Sequence, residues 1–237
     1  MGKLEALTAE HCAAYIGKYF KNEKGEPIEV FLWWQEILGA LFDPAIKLVL
    51  VNTIRQQGKT QLAMNYILYR LLNDRDLYMI AITNAEAQMQ RFVAQKITRP
   101  LAHMDERLRK SVDVRPAMGE VRVGERNNLL KILPANRATA TGTSPDVIFF
   151  DEARDAPDHL WEEIAPSVMS NPTSKLLVAS TAGAPSGFFY ELVTLQENDP
   201  QSDWYLFRSK KNLIRKPPGL KFGELCRLVR ELASYAT

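Results

Sequence analysis

Residues Leu48 to Thr60 read LVLVNTIRQQGKT. The stretch opens with four apolar residues, which is typical of a strand buried on both faces, and it ends in Gly58-Lys59-Thr60 just before a segment of helical period. A loop in that position points backbone N–H groups and a helix N-terminus at an anion, while the lysine and the hydroxyl reach phosphate oxygens and their Mg²⁺. The stretch therefore predicts an α/β protein with a phosphate-binding loop.

This loop departs from the full phosphate-binding motif at one position. The motif carries a glycine five positions before the one that precedes its lysine, and this sequence has Thr53 there. Gly-Lys-Thr alone occurs by chance, and the alternative interpretation is a helix N-terminus with an exposed lysine. The strand before the loop and the helix after it favour a nucleotide site, in which Gln56 and Gln57 belong to the loop around the phosphates.

The rest of the chain alternates apolar, β-branched runs with stretches of helical period. Further buried strands are predicted at residues 77–83, 146–152 and 175–181, and helices at residues 58–72, 86–101 and 159–169. This alternation indicates βαβ units and a mostly parallel sheet flanked by helices, with ligands at the carboxyl ends of the strands.

Two stretches depart from this rhythm. Residues 118–135 alternate like a β-hairpin. After residue 183 the pattern predicts a helix at 188–196, a strand at 204–209 and a terminal helix at 222–235. We interpret residues 1–183 as a P-loop core with an amino-terminal helical segment, and residues 184–237 as a small lid subdomain.

An acidic pair ends one of the buried strands. Val147-Ile148-Phe149-Phe150 brings Asp151 and Glu152 to the carboxyl end, where Asp151 is expected to hold Mg²⁺ and Glu152 to polarise an attacking water. The alternative is an Asp-Glu pair that caps the following helix. The next strand ends in Ser180 and Thr181, whose hydroxyls are expected to sense hydrolysis, although Ser-Thr-Ala-Gly is also a common turn.

Together these motifs resemble the ATPase portion of the large terminase subunit of tailed bacteriophages. The resemblance rests on Arg55-Gln-Gln-Gly-Lys-Thr60, the Asp151-Glu152 strand and the Ser180-Thr-Ala-Gly183 strand in this order, and it spans residues 31–192. It implies a RecA-like ATPase of the additional-strand, catalytic-glutamate class that uses ATP and Mg²⁺ to move double-stranded DNA into a procapsid. It further implies that Arg55 lies beside the phosphates, that Thr60 and Asp151 hold the metal, and that the hydroxyls of residues 180 and 181 couple hydrolysis to movement.

The same resemblance extends to partners and smaller features. It implies that Trp34 and Gln35 contact adenine, the alternative being a core helix, and that a neighbouring subunit of a ring, by resemblance a pentamer, inserts an arginine at the γ-phosphate. Arg137 is the preferred candidate for that arginine, with Arg154 less favoured and a plain surface residue as the alternative. Portal protein and small terminase subunit are implied as partners. No nuclease activity is expected, because no residues remain for that domain.

Composition and charge agree with a nucleic-acid motor. The 237 residues are 46% apolar and 24% charged, an ordinary globular composition without a membrane-length apolar run, a secretory signal or a disulfide framework. A formal net charge of +2 hides two basic stretches, at residues 91–137 and 207–230, which fit a polyanion or an ordinary solvated face. The expected location is the cytoplasm of an infected bacterial host, transiently on the procapsid.

Two other functions fit the same motifs. One is a helicase or other nucleic-acid translocase with a similar core, for which a second RecA-like domain would be expected. The other is a nucleotide-binding procapsid docking module that does not hydrolyse ATP. Catalytic turnover separates the second function from the first and from the packaging motor.

Overall fold

The computed structural model describes residues 7–83, 85–135, 144–169, 171–181, 183, 185–211 and 213. The α-helices within them are α1 (Ala9–Tyr19), α2 (Leu32–Phe42), α3 (Lys59–Asn73), α4 (Glu86–Val93), α5 (Arg99–Ala102), α6 (Glu106–Ser111), α7 (His159–Met169) and α8 (Phe188–Asn198). The strands are β1 (Leu48–Thr53), β2 (Tyr78–Thr83), β3 (Asp113–Arg115), β4 (Glu120–Val123), β5 (Asn128–Pro134), β6 (Val147–Asp151), β7 (Lys175–Ser180) and β8 (Trp204–Ser209).

All of these strands join one sheet in the order β3-β4-β5-β2-β6-β7-β1-β8. The six strands from β5 to β8 in that order run parallel, and β3, β4 and β5 pair antiparallel at one edge. The predicted fold class, an α/β protein with a mostly parallel sheet, is therefore confirmed. Strand β7 lies between β1 and β6, so a strand separates the phosphate-loop strand from the acidic strand, as the additional-strand class requires.

Alternate side chains of the parallel strands pack into two cores on opposite faces of the sheet. In β1, Val49 and Val51 join the core that α1, α2, α3 and α4 cover, whereas Leu48 and Leu50 join the core that α7 and α8 cover. Because both faces are covered, the strands read as continuous apolar runs rather than as alternating patterns. The carboxyl ends of β1, β2, β6 and β7 consequently meet at one exposed edge of the sheet.

The predicted helix at residues 86–101 is interrupted in the structure. Helix α4 passes into a π-helical turn, Ala94–Thr98, before α5 begins. A π turn accommodates an extra residue while the chain continues in a helical direction, which is why its sequence pattern resembles that of an uninterrupted helix. The predicted hairpin forms as β4 and β5, and β5 also pairs with β2 in the main sheet.

The region predicted as a lid needs a correction for its described part. Strand β8 pairs with β1 along its whole length, from Leu48 opposite Trp204 to Thr53 opposite Ser209, and α8 buries Phe188 and Leu192 in the main core. Residues 188–209 therefore complete the central sheet and its covering layer. The terminal helix predicted at residues 222–235 lies outside the described residues, so a lid there stays a prediction.

No helix in the described part of the chain has the length and apolar character needed to cross a membrane.

Candidate nucleotide-binding and hydrolysis site

The loop between β1 and α3 has the backbone of an anion-binding loop. Gln56 and Gly58 both adopt left-handed conformations, with φ of 60° and 85°, and Lys59 begins α3. Left-handed residues in such a loop turn successive N–H groups toward a common concave side, where the helix N-terminus adds its positive end. The sequence motif is therefore matched by loop geometry suited to phosphate oxygens.

Gly58 is further constrained by the residue beneath the loop. A Cβ atom at this position would lie 3.3 Å from Cζ2 of Trp34, and the left-handed backbone already disfavours a side chain. Trp34 is only 2% exposed and also packs edge-to-face on Phe31. Glycine thus lets the loop rest directly on the indole of α2.

The end of β6 is joined to the start of α3 by a pair of hydrogen bonds. The Thr60 hydroxyl lies 3.0 Å from each carboxylate oxygen of Asp151. Burial raises the pKa of Asp151 to about 6, because desolvation and the nearby Glu152 charge outweigh the Thr60 hydrogen bond and the Lys59 charge. The structure therefore brings together the two predicted metal-binding residues.

Lys59 is buried in the centre of the site. Its Nζ donates to the carbonyl of Ile54 at 3.2 Å and approaches the Thr53 hydroxyl at 3.4 Å. Desolvation lowers the pKa of Lys59, while the charges of Glu152 and Asp151 act in the opposite direction. A buried ammonium with partial compensation favours the arrival of phosphate oxygens, which would supply both charge and hydrogen bonds.

Glu152 follows β6 in an unusual conformation. Its backbone is left-handed, with φ of 51° and ψ of 44°, which is disfavoured for a residue with a side chain. The turn ends the strand and places Glu152 beside Thr60 and Asp151 on the wall of one cavity. Strained backbone of this kind clusters at functional sites because the surroundings must hold it in place.

The tip of β7 carries the two predicted sensor hydroxyls. The Ser180 side chain is fully buried and its Oγ accepts a hydrogen bond of 3.2 Å from the backbone N–H of Arg154, just after the acidic pair. Thr181 is 3% exposed, and its buried hydroxyl has no hydrogen-bond partner among the described residues. Ser180 thus links the coupling strand to the acidic turn, and the Thr181 hydroxyl retains hydrogen-bonding capacity.

The remaining loop residues differ in their surroundings. Arg55 and Gln56 are exposed, whereas Gln57 is buried and its Oε1 accepts a hydrogen bond of 2.6 Å from the backbone N–H of Leu213. The loop is thereby attached to the segment that follows β8. Sequence reasoning assigned Gln57 to the phosphates and did not foresee this second attachment.

The predicted adenine-contacting pair points in two directions. Trp34 is buried against Gly58, while Gln35 is exposed and lines a groove with residues of α1, including Glu10 and Ala13. Only the tryptophan touches the loop. Contact of either residue with adenine stays a prediction.

The preferred trans arginine, Arg137, lies outside the described residues. The less favoured Arg154 has its guanidinium paired with Asp155 at 3.2 Å and packs against Gly183, whose added Cβ would meet its Cδ at 3.0 Å. Arg154 is thereby held between the acidic turn and the end of β7. This packing suits a residue that connects those two elements within one subunit.

Sequence reasoning missed one wall of the site. A cavity of about 290 Å³ is lined on one side by Thr60, Asp151 and Glu152 and on the other by residues from β2, α4 and the π turn. These second-wall residues are Thr83, Gln88, Arg91, Phe92, Gln95 and Lys96. The signal that could have found them is the helix following β2, since its amino end must start at the same edge of the sheet.

The donor set around this cavity suits Mg²⁺ and a polyphosphate. No cluster of three or more His, Cys, Asp or Glu side chains able to hold a metal occurs among the described residues. Mg²⁺ differs from structural metals in needing only one or two protein oxygens, because phosphates and water complete its octahedron. The Thr60 hydroxyl and the Asp151 carboxylate are such oxygens.

Comparison with solved structures addresses the fold. The large terminase of bacteriophage HK97 superimposes with a TM-score of 0.76 at 16% identity, covering 91% of this chain and 46% of that one. The chain shares its fold with phage large terminases. The large terminase ATPase domain of Thermus phage P74-26 (TM-score 0.58, 17% identity, 78% and 82% covered) has the same terminase fold. So does the large terminase of a thermophilic bacteriophage in complex with ATP-γ-S (0.54, 12%, 90% and 49%).

The terminase fold is not specific to packaging proteins. The UvsW helicase of bacteriophage T4 also matches, with a TM-score of 0.54 at 12% identity over 86% of this chain and 69% of that one. The chain spans about half the length of the HK97 terminase and of the terminase that holds ATP-γ-S. No protein-family model and no curated protein sequence matches it.

Proposed function

We propose that this chain hydrolyses ATP to drive double-stranded DNA into a viral procapsid, as the motor portion of a large terminase. The observation that carries the proposal is the hydrogen-bonded pair Thr60 and Asp151, which joins a phosphate loop to an acidic strand beside Glu152. Similarity to terminase structures, one of them holding ATP-γ-S, supports a nucleotide-driven motor.

The proposed chemistry uses the chain's own residues in distinct roles. The loop N–H groups, Lys59 and Arg55 neutralise phosphate oxygens, while Thr60 and Asp151 hold Mg²⁺, which when bound neutralises the charge that develops on the phosphates. Glu152 orients the attacking water and accepts its proton. Ser180 and Thr181, on the strand between β1 and β6, pass the resulting change to the rest of the sheet.

DNA contacts are proposed for the basic stretch that starts at Arg91. Several of its cations are locally paired, namely Lys110 with Glu106, Arg115 with Asp113 and Arg122 with Glu120. Arg99 and Arg109 are exposed and make no ion pair within the described residues. Binding through such cations would be independent of sequence and would weaken steeply with salt.

A ring of identical subunits is proposed as the working assembly, with Arg137 acting on the neighbouring site. An arginine supplied in trans is worth about 10³-fold or more in rate, so dilute chains should hydrolyse ATP slowly. Mixing Arg137→Ala chains with Glu152→Ala chains should restore activity, because some interfaces would then combine an intact glutamate with an intact arginine. No restoration would assign both residues to one subunit.

Steady-state phosphate release tests the enzymatic proposal. The chain, concentrated to allow assembly, should release phosphate from Mg·ATP, and Glu152→Ala should abolish release while it still binds nucleotide. A wild-type rate no higher than that of Glu152→Ala would favour a docking module that does not hydrolyse ATP. Portal protein and small terminase subunit would be its partners in either case, at the procapsid in the cytoplasm of an infected bacterium.

A helicase or other translocase is the second candidate, favoured by the match to UvsW. A strand-displacement assay separates the two motors. A packaging motor should hydrolyse ATP faster on blunt duplex DNA without separating its strands. Release of a labelled strand from a tailed duplex, lost in Glu152→Ala, would support the helicase instead.

A further inference from the structure

The second wall of the site cavity presents cations to the acidic wall. Arg91 and Lys96 line the cavity opposite Asp151 and Glu152, and neither makes an ion pair in the part of the chain that the structure describes. Charges that contact each other would shift one another's titration, and the influences on Asp151 come from Thr60, Glu152 and Lys59 rather than from this wall. The two walls therefore face each other across open space.

The helical geometry explains how one wall supplies several polar groups. Gln88, Arg91 and Gln95 recur at three- and four-residue spacing, so they share one face of the helix. The π turn over Ala94–Thr98 changes the helical repeat at this point, and both Gln95 and the adjacent Lys96 line the cavity. π turns of this kind are frequent at functional sites.

The size and polarity of the space indicate a small anion. A volume of about 290 Å³ corresponds to about ten water molecules at the ~30 Å³ that each occupies in the liquid. One wall offers two cations and two amides, and the other offers the groups proposed for Mg²⁺ and for the attacking water. A tetrahedral phosphate leaving the nucleotide on the Glu152 side would enter this space.

We propose that Arg91 and Lys96 form a product-phosphate site within the subunit, which holds inorganic phosphate after ATP cleavage. This inference rests on the proposed hydrolysis of ATP and adds the residues that govern release of its product. The same cations could meet a phosphate of the DNA backbone. The opposing carboxylates, Asp151 and Glu152, favour the small ion, because a duplex entering the cavity would bring further phosphates against them.

Equilibrium binding of inorganic phosphate tests the site directly. Binding of radiolabelled phosphate is measured by dialysis with the full chain, in the presence and in the absence of Mg·ADP. Lys96→Gln and Arg91→Gln should each weaken phosphate binding about tenfold, the size expected for losing one charge-assisted hydrogen bond. Lys24→Gln and Arg75→Gln, at exposed cations far along the chain from the cavity, serve as matched controls and should bind like the wild type.

A single-turnover measurement with a fluorescent phosphate sensor gives the kinetic counterpart. Lys96→Gln should release phosphate several-fold faster after cleavage than the wild type does. Phosphate affinity unchanged in both variants, or absent in the wild-type chain with and without Mg·ADP, would overturn the site. Unchanged phosphate affinity with weakened binding of a short DNA duplex would assign the cations to DNA instead.

These outcomes are distinct from failure of the proposed function. A chain that binds neither Mg·ADP nor Mg·ATP, or that hydrolyses no ATP when concentrated, contradicts the motor while the phosphate measurement still decides the site. Circular dichroism and urea unfolding of each variant establish that lost binding does not come from lost folding. Arg91 is exposed and Lys96 half-buried, so both substitutions are compatible with the fold.

Discussion

The Thr60 hydroxyl and the Asp151 carboxylate, 91 positions apart in the chain, are joined by hydrogen bonds of 3.0 Å to both carboxylate oxygens. This contact keeps an ionisable group at the buried end of β6, where desolvation raises its pKa to about 6. Ionisation of Asp151 therefore costs folding free energy in the absence of a cation. The nucleotide-bound metal would remove that cost.

The pH dependence of stability follows from this raised pKa. Below about pH 4 the carboxyl is protonated in both folded and unfolded chains, between pH 4 and 6 its contribution falls, and above pH 6 the penalty is complete. Asp151→Asn should therefore be more stable than the wild type by about 2–3 kcal/mol at pH 7.5, with the difference vanishing near pH 4. Urea unfolding across this range measures it. The exposed Asp199→Asn should show no such divergence, and an Asp151→Asn chain that is no more stable than wild type at pH 7.5 would contradict the expectation.

The Thr60 hydroxyl should matter for metal-dependent binding only. Thr60→Val keeps the shape of the side chain and removes the oxygen, so affinity for ADP should fall about tenfold with Mg²⁺ present and stay unchanged in EDTA. Thr60→Ser retains the oxygen and should bind like the wild type. Equal loss with and without Mg²⁺ would mean that the valine disturbs the loop itself.

Gly58 should be intolerant of even one methyl group. Gly58→Ala must hold a left-handed backbone at φ of 85° and accept a 3.3 Å approach to Trp34, so we expect a loss of about 1–2 kcal/mol in unfolding free energy. Gly124→Ala is the matched control, because nothing lies within 4 Å of its added Cβ; it should change stability by less than about 0.5 kcal/mol. Equal unfolding midpoints for both variants would argue against the strain at Gly58.

Loss of the Gln57 side chain should loosen the segment after β8. Gln57→Leu removes the acceptor of the 2.6 Å hydrogen bond from the Leu213 N–H, so trypsin should cut at the exposed Lys210 and Lys211 several-fold faster. Gln57→Glu keeps an acceptor oxygen and should be cut at the wild-type rate. Identical cleavage of all three chains would show that other contacts hold this segment.

The extent to which sequence predicts this fold depends on what each pattern encodes. Strand β6 was predicted within one residue at each end, because a run of four apolar residues between charged ones leaves little choice of boundary. The strand at residues 204–209 was also predicted, but its pairing with β1 was not, since strand partners depend on tertiary contacts such as the stacking of Trp33 on Phe207. Local pattern gives the element and leaves its neighbour open.

The candidate site was predictable in part for the same reason. Lys59, Thr60 and Asp151 follow strands whose carboxyl ends must coincide in a parallel sheet, and the structure brings them together. The wall containing Arg91 and Lys96 depends on a π turn whose spacing differs little from that of an α-helix. Its orientation toward the cavity is a property of packing rather than of local sequence.

The direction of β8 determines where mechanical load would enter the domain. Because β8 runs parallel to β1, with Ser209 opposite Thr53, the chain leaves the sheet at the edge where the phosphate loop begins, and Gln57 ties it there through Leu213. Any body attached beyond residue 213 is therefore tethered next to the phosphate loop. A pull on that tether would act along the strand that leads into the loop, so opposing force would be expected to alter nucleotide affinity before it altered the distant antiparallel edge.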